Sequence, residues 1–442
     1  MNTNRKILTS SILALYLFSP INVCANEKNG IEEAKKSAIT FSLIQNNNKD
    51  INKDKIPVKI QTSKEALDMD ISLLSKESGF SEETVREVMK FQESFGVYAD
   101  KILERYSNKV ASVYVEEFPS KVGHINFIGE VPKALNRMIE KMGQEGQIIL
   151  MGGAKFSLNE NFKRAELVSE ALSNKKIYNT AVFFDQTKNI IQVEIKLPKK
   201  DKAPSMTNII EAVTQHFSKL NLIEKIKDIN ENDLNLKIIR GTGDILTNEY
   251  TRGGAKLYDD GTFECTLGWS VRETTGSKRY GYITAKHCSG INQHKDHNNN
   301  GTYSSSWTKN ASGQVDVEFH ETPTSGELDD FHANSSSIRD VKDTRSTNSM
   351  VGNRVCVYGR SSNSRNCSHT VKAVDVTVTV SNGTKSKHLA RTDKHTTIGG
   401  DSGGGWSWNN TAWGVHKGGG NGKSYFTPVR VAESYTNVTI LK

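Results

Sequence analysis

The sequence predicts an α+β region followed by a strand-rich, cysteine-bearing one. Three observations predict it. Val85, Val88, Phe91, Phe95, Ala99 and Ile102 recur at three- and four-residue steps, the repeat of one helix face. Apolar runs at 181–184 and Ile190–Leu197 flank a polar turn at 185–189 and read as two strands. Further on, apolar and polar residues alternate in Gln314-Val315-Asp316-Val317-Glu318-Phe319, and Cys265, Cys288, Cys356 and Cys367 all lie in the C-terminal half.

In chain order, the N-terminus reads as a secretory signal over residues 1–25. Arg5 and Lys6 supply the charged start, residues 7–18 an apolar stretch too short to span a bilayer, and Val23 and Ala25 small residues before Asn26. Cys24 would leave with the signal, and Asn22 and Val23 fit a lipobox poorly. No other segment approaches the roughly 18 apolar residues of a membrane helix. Residues 26–70 are polar and rich in Asn and Lys, as in Asn46-Asn47-Asn48-Lys49-Asp50, and read as loosely ordered.

Residues 71–249 form the α+β region, without cysteine and without a catalytic constellation. After the first helix come a helix at 161–172, the two strands, a helix at 208–220 and a strand at 234–239. The net charge of +8 is spread along the chain, without a basic stripe interleaved with aromatics. It reads as solvated surface charge, not a nucleic-acid footprint.

Chemistry gathers in residues 250–442. Gly399-Gly400-Asp401-Ser402-Gly403-Gly404-Gly405-Trp406 sets an Asp-Ser pair in five glycines. Such density suits close backbone approach to a substrate, with Ser402 as nucleophile and the N–H groups of Gly400 and Ser402 facing a developing oxyanion. Tyr282-Ile283-Thr284-Ala285-Lys286-His287-Cys288 ends an apolar strand on His-Cys. No second Cys or His at ligand spacing accompanies it, which argues against zinc. Asp316 is an acid inside an alternating strand pattern, with Asp329 and Asp330 as rivals in a more acidic, loop-like context.

The order His287, Asp316, Ser402, together with these motifs, resembles the secreted bacterial chymotrypsin-fold serine proteases of the α-lytic protease and streptogrisin type. Cys356-Val357-Tyr358-Gly359-Arg360 followed by Cys367 resembles the family's short disulfide loop. Ala412-Trp413-Gly414-Val415-His416-Lys417-Gly418-Gly419 resembles its substrate-binding strand. The resemblance implies an all-β double six-stranded antiparallel barrel preceded by an α+β pro-region. It implies peptide-bond hydrolysis by a monomer on protein and peptide substrates, with no cofactor or metal and no nucleic-acid or membrane partner. It also favours the pairs Cys265–Cys288 and Cys356–Cys367. The pro-region would assist folding of a slow, non-local β topology and then inhibit the product.

Two departures stand out. Val357 occupies the place of an Arg that usually neutralises the Asp before the nucleophile, leaving Arg354, Arg360 or a mature amino terminus for Asp401. Lys417 stands where a Ser often bonds the triad Asp. The pocket resembles that of glutamyl endopeptidases: His416 and Thr397 match the positions that hold an acidic side chain, with Gly418 and Gly419 beside them, and Lys394, His395 and Lys417 bias the local field. The rivals are an apolar or aromatic pocket and, from another class, a catalytically silent secreted binding module. Self-processing would place the new terminus near Glu249, Tyr250 or Thr251, just before Arg252-Gly253-Gly254.

Overall fold

A computed structural model describes residues 59–135, 145–197, 201, 203–219, 233–240, 254–276, 278–288, 290–295, 302–322 and 329–442. The expected signal, most of the polar segment and the processing junction lie outside the described residues.

Two capped helices come first. Helix α1 (Ser63–Ser78) starts at Thr62, whose side chain accepts the Glu65 N–H while the Glu65 carboxylate accepts from the Thr62 N–H. That reciprocal pair satisfies two of the four orphan donors of a helix start. Gly79 ends α1 at φ 79, a conformation glycine adopts without a Cβ penalty. Helix α1 begins inside the stretch read as loosely ordered through residue 70, whose described residues 59–70 instead carry the strand Lys59–Ile60 and the first half of α1. The Thr62-x-x-Glu65 pattern was its signal. Helix α2 (Glu82–Tyr106) follows the predicted stripe, burying Val85, Val88, Phe91, Phe95, Ala99 and Ile102.

The strands Val110–Val115, Val122–Ile128 and Gln147–Ala154 form a three-stranded sheet. Its apolar residues share a core with Phe91 and Phe95 of α2. Helices α3 (Leu158–Asn174) and α4 (Met206–Lys219) pack on Thr180–Asp185, Ile190–Leu197 and Leu234–Arg240. Those three strands continue a larger sheet, because Thr180–Asp185 runs antiparallel to Ser364–Thr379, with Val182 opposite Thr377.

The C-terminal part is mostly β, with helix α5 (Val429–Thr436) near its end. Six antiparallel strands follow the order Arg354–Gly359, Gly405–Trp408, Thr411–Gly420, Lys423–Pro428, Lys385–Thr392 and Ser364–Thr379. The last also pairs back onto the first through residues 364–370, while its residues 377–379 carry Thr180–Asp185. The preceding part differs from the expected second six-stranded barrel. Asp330–Asn334 and Ser337–Asp340 form a sheet with Lys59–Ile60, and the described strands before them fall in two further sheets. One runs in the order Ser306–Asn310, Glu318–Glu321, Tyr280–Thr284, Trp269–Glu273 and Val438–Ile440. The other runs Thr302–Ser304, Gln293–Lys295, Lys256–Asp259 and Thr262–Thr266.

Ile56–Lys442 forms one compact unit. Ile71, Leu74, Val85 and Met89 belong to the same apolar cluster as Val355, Trp406 and Phe426. Asp70 of α1 is fully buried among Arg339, Arg365 and the Asn409 N–H. Among the described residues no helix is long and apolar enough to cross a membrane.

Candidate active site

His287 sits in the turn after Tyr280–Thr284, where Cys288 N–H bonds back to Ala285 O. A disulfide from Cys288 to Cys265 ties this turn to Thr262–Thr266 of the other sheet, and a second joins Cys356 to Cys367. Asp316 lies in the turn leading into Glu318–Glu321, not within the strand as its alternating neighbours suggested. Val315 and Val317 on either side are buried, which anchors it. Ser402 sits in a turn before Gly405–Trp408.

The two β regions meet at this point. Thr266 N–H donates to Ser402 O at 2.9 Å, and Thr266 Oγ1 to Gly400 O at 3.3 Å. Trp269 Nε1 donates to Gly414 O at 2.9 Å. Gly403 takes φ 85, and a Cβ there would lie 2.2 Å from Thr284 Oγ1, so both its conformation and its space demand glycine.

These contacts bring the three residues together. His287 Nδ1 lies 2.8 Å from Asp316 Oδ2, and its Nε2 2.9 Å from Ser402 Oγ. The His287 backbone N–H adds a 3.1 Å bond to Asp316 Oδ1, fixing the carboxylate plane against the ring. An imidazole so held can take a proton from the hydroxyl at one nitrogen while the carboxylate faces the other. Asp329 and Asp330 go elsewhere: Asp329 O accepts from Val341 N–H, and Asp330 pairs with Asp340 across a strand pair.

Lys417 also enters the cluster. Its Nζ is 3.2 Å from Asp316 Oδ2 and 3.2 Å from His287 Nδ1. Lys417 stands at the bulge where this strand's register shifts between His416 and Gly418, and it meets Asp316 while His416 meets Trp406. Lys417, which the sequence assigned to the pocket field, is engaged with Asp316 and His287. Burial pushes Asp316 up, but Lys417 and then His287 more than offset this and hold its carboxyl well below the usual range. Burial lowers His287, Lys417 lowers it further, and Asp316 opposes both; the net is downward.

Among the described residues Asp401 is held by backbone donors and not by Arg354. Its Oδ1 accepts from the Ser361 and Ser362 N–H groups at 3.1 Å each, and its Oδ2 from Ile398 N–H at 3.0 Å. Arg354 instead donates to Ser368 O. Burial raises the Asp401 carboxyl, and the backbone donors offset part of that. Sequence reasoning missed these partners because backbone donors carry no residue signature.

The pocket residues lie close to the Ser402 turn in sequence and sheet. His416 N–H bonds Gly404 O, and His416 O accepts Gly403 N–H. Trp406 Nε1 donates to His416 Nδ1 at 3.3 Å, which places the imidazole proton on Nε2. Gly418 and Gly419 continue that strand opposite Tyr425 and Ser424. Thr397 is buried, and its hydroxyl has no hydrogen-bond partner among the described residues. His369, against Trp406 at 4.8 Å, is pushed down to about 3 by burial and then by His416.

Solved proteases resemble it. A Nocardiopsis protease is 22% identical over 44% of this chain and 99% of its own, with a TM-score of 0.36. A Cellulomonas bogoriensis chymotrypsin is 26% identical over 43% and 98%, with a TM-score of 0.35. A glutamic-acid-specific serine protease, described as using a histidine triad in substrate binding, is 24% identical over 43% and 99%, also at 0.35. No family model and no curated protein matches the chain.

Proposed function

We propose that this chain is a secreted serine endopeptidase, made as a precursor whose N-terminal α+β region assists folding and restrains the enzyme. The observation that carries the enzymatic reading is His287 set between Asp316 and Ser402 at 2.8 and 2.9 Å. Ser402 Oγ attacks the scissile carbonyl carbon as His287 Nε2 takes its proton. Asp316 orients the ring and stabilises its charged form without accepting the proton. The Gly400 and Ser402 N–H groups hold the oxyanion. The imidazolium then protonates the leaving amine, and water repeats the sequence on the acyl-enzyme.

The preferred residue before the cut is Glu or Asp. Supporting this, the Trp406 bond leaves His416 Nε2 as a donor, and the buried Thr397 hydroxyl is a second one. A carboxylate recognised by such donors gains charge-assisted bonds. The precursor reading draws support from the strand Thr180–Asp185, which extends the sheet through Ser364–Thr379, and from the core shared by α1 and α2.

The test is covalent labelling by a peptidyl organophosphonate with Glu before the phosphorus, against one with Phe. The expected result is Glu-directed labelling of the processed wild-type chain and none of Ser402→Ala. Labelling by the Phe reagent alone would keep the protease and replace its pocket with an aromatic one. No labelling by either would leave a silent binding module.

A further inference from the structure

Lys417 and His287 compete for one oxygen. Both nitrogens lie within hydrogen-bond reach of Asp316 Oδ2, at 3.2 and 2.8 Å. Lys417 Nζ is also 3.2 Å from His287 Nδ1, so that ring nitrogen has two alternatives. It donates to Asp316, leaving the Nε2 lone pair on Ser402, or it accepts from Lys417, and Nε2 then carries the proton. Only the first tautomer is a base for Ser402. The Lys417 and Asp316 side chains are 8% and 6% exposed, so little water screens them.

We propose that Lys417 is a positioning residue that keeps His287 neutral, and so usable as a base, in more acidic medium than a His–Asp pair alone would allow. The inference rests on the serine-protease reading of this site. A positive charge beside the imidazole opposes its protonation at rest. It opposes the imidazolium in the transition state as well, so the acid tolerance comes with a slower reaction at neutral pH. The other charged and titratable groups around His287 are few. Asp316 faces it from the turn before Glu318–Glu321, with Glu318 and its 2.8 Å partner His320 on that strand. His416 acts from the strand of Lys417, and Lys286 precedes His287 in the chain.

Two measurements test this, the first on the full chain and the second on the processed enzyme. The first follows the His287 ring nitrogens by NMR against pH in Ser402→Ala, alone and combined with Lys417→Ser, Lys417→Met or Lys417→Arg. The second is the pH profile of kcat/KM for the same Lys417 substitutions in the active chain. The expected result is an upward shift of the His287 titration, and of the acid limb, by about one unit or more in Ser and Met, with Arg near wild type. The plateau should hold or rise. A folded Ser or Met variant with an unshifted or lowered titration overturns the proposal. So does a lowered plateau with an unchanged acid limb, which is the mark of a merely structural lysine. Absence of hydrolysis by the wild type at every pH would sink the protease reading instead, and the NMR arm does not depend on turnover.

Discussion

Asp70 and Arg339 meet where neither side chain reaches solvent, joined by bonds of 2.9 and 3.0 Å. Arg365 closes on the same carboxylate from a second strand at 2.7 and 2.9 Å. Burial opposes ionisation of Asp70, but Arg365 and Arg339 prevail and hold it charged. Removing the carboxylate leaves two buried cations facing each other. Asp70→Ala should therefore cost the precursor about 3–5 kcal/mol. Replacing Asp70, Arg339 and Arg365 together by Leu, Met and Met should recover most of that loss. Urea unfolding followed at both ends of the chain reads it; a loss below about 1 kcal/mol in Asp70→Ala would mean the cluster relaxes into solvent.

Gly359 and Asp401 touch so closely that a Cβ on Gly359 would lie 1.9 Å from the Asp401 carboxyl carbon. Gly359→Ala must displace Asp401, and with it the neighbouring Ser402 turn. Misplacing a reacting group by about 1 Å costs roughly 10²-fold, and kcat for a peptide ester should fall by at least that much. Near-wild-type turnover in the variant would show that the turn is not held through Asp401.

Glu273 sits beneath Arg279 and Lys309, with contacts of 2.8 Å to each. The Arg279 bond, followed by Lys309, overcomes burial and lowers its carboxyl to about 2. The folded state thus holds fewer protons than the unfolded one between pH about 2 and 4.5. The stabilisation is present above pH 4.5 and is lost as pH falls towards 2. Partial exposure of both cations screens the gain to about 1–2 kcal/mol. Glu273→Gln should accordingly flatten the loss of stability across that window. Parallel acid curves for the two proteins would remove Glu273 from the acid response.

In the proposed function Thr397 and His416 would offer an acidic side chain two donors. Thr397→Val should lower kcat/KM for a Glu substrate by about 10–100-fold and leave a Phe substrate little changed, the loss expected for one bond to a charge. Equal losses on both substrates would assign Thr397 to packing.

Much of the architecture was legible in the sequence, for local reasons. The stripe from Val85 to Ile102 became the buried face of α2, whereas the Thr62-x-x-Glu65 box, the local signal of α1, was passed over in a stretch whose composition looked unstructured. His287, Asp316 and Ser402 stood out because a nucleophile, a base and an acid in a glycine-rich, strand-bearing context have few other uses. The strands at 110–154 did not stand out, since their apolar residues show no sharp period. The ladders of the first β region were not legible either, because pairing partners lie far apart in the chain.

The sequence by itself determined the helical stripes, the hairpin, the cysteines and the residues His287, Asp316 and Ser402. Each of these is a short-range pattern, read within a few residues. Only the tertiary structure decided which charge meets which. Asp70 and Arg365 are 295 positions apart, and Lys417 and His287 are 130 apart. Strand register turned Lys417 towards Asp316 and His416 towards Trp406, and three backbone N–H groups took the role sought for an arginine at Asp401. Electrostatic strength falls with distance and rises with burial, and both are properties of the folded chain.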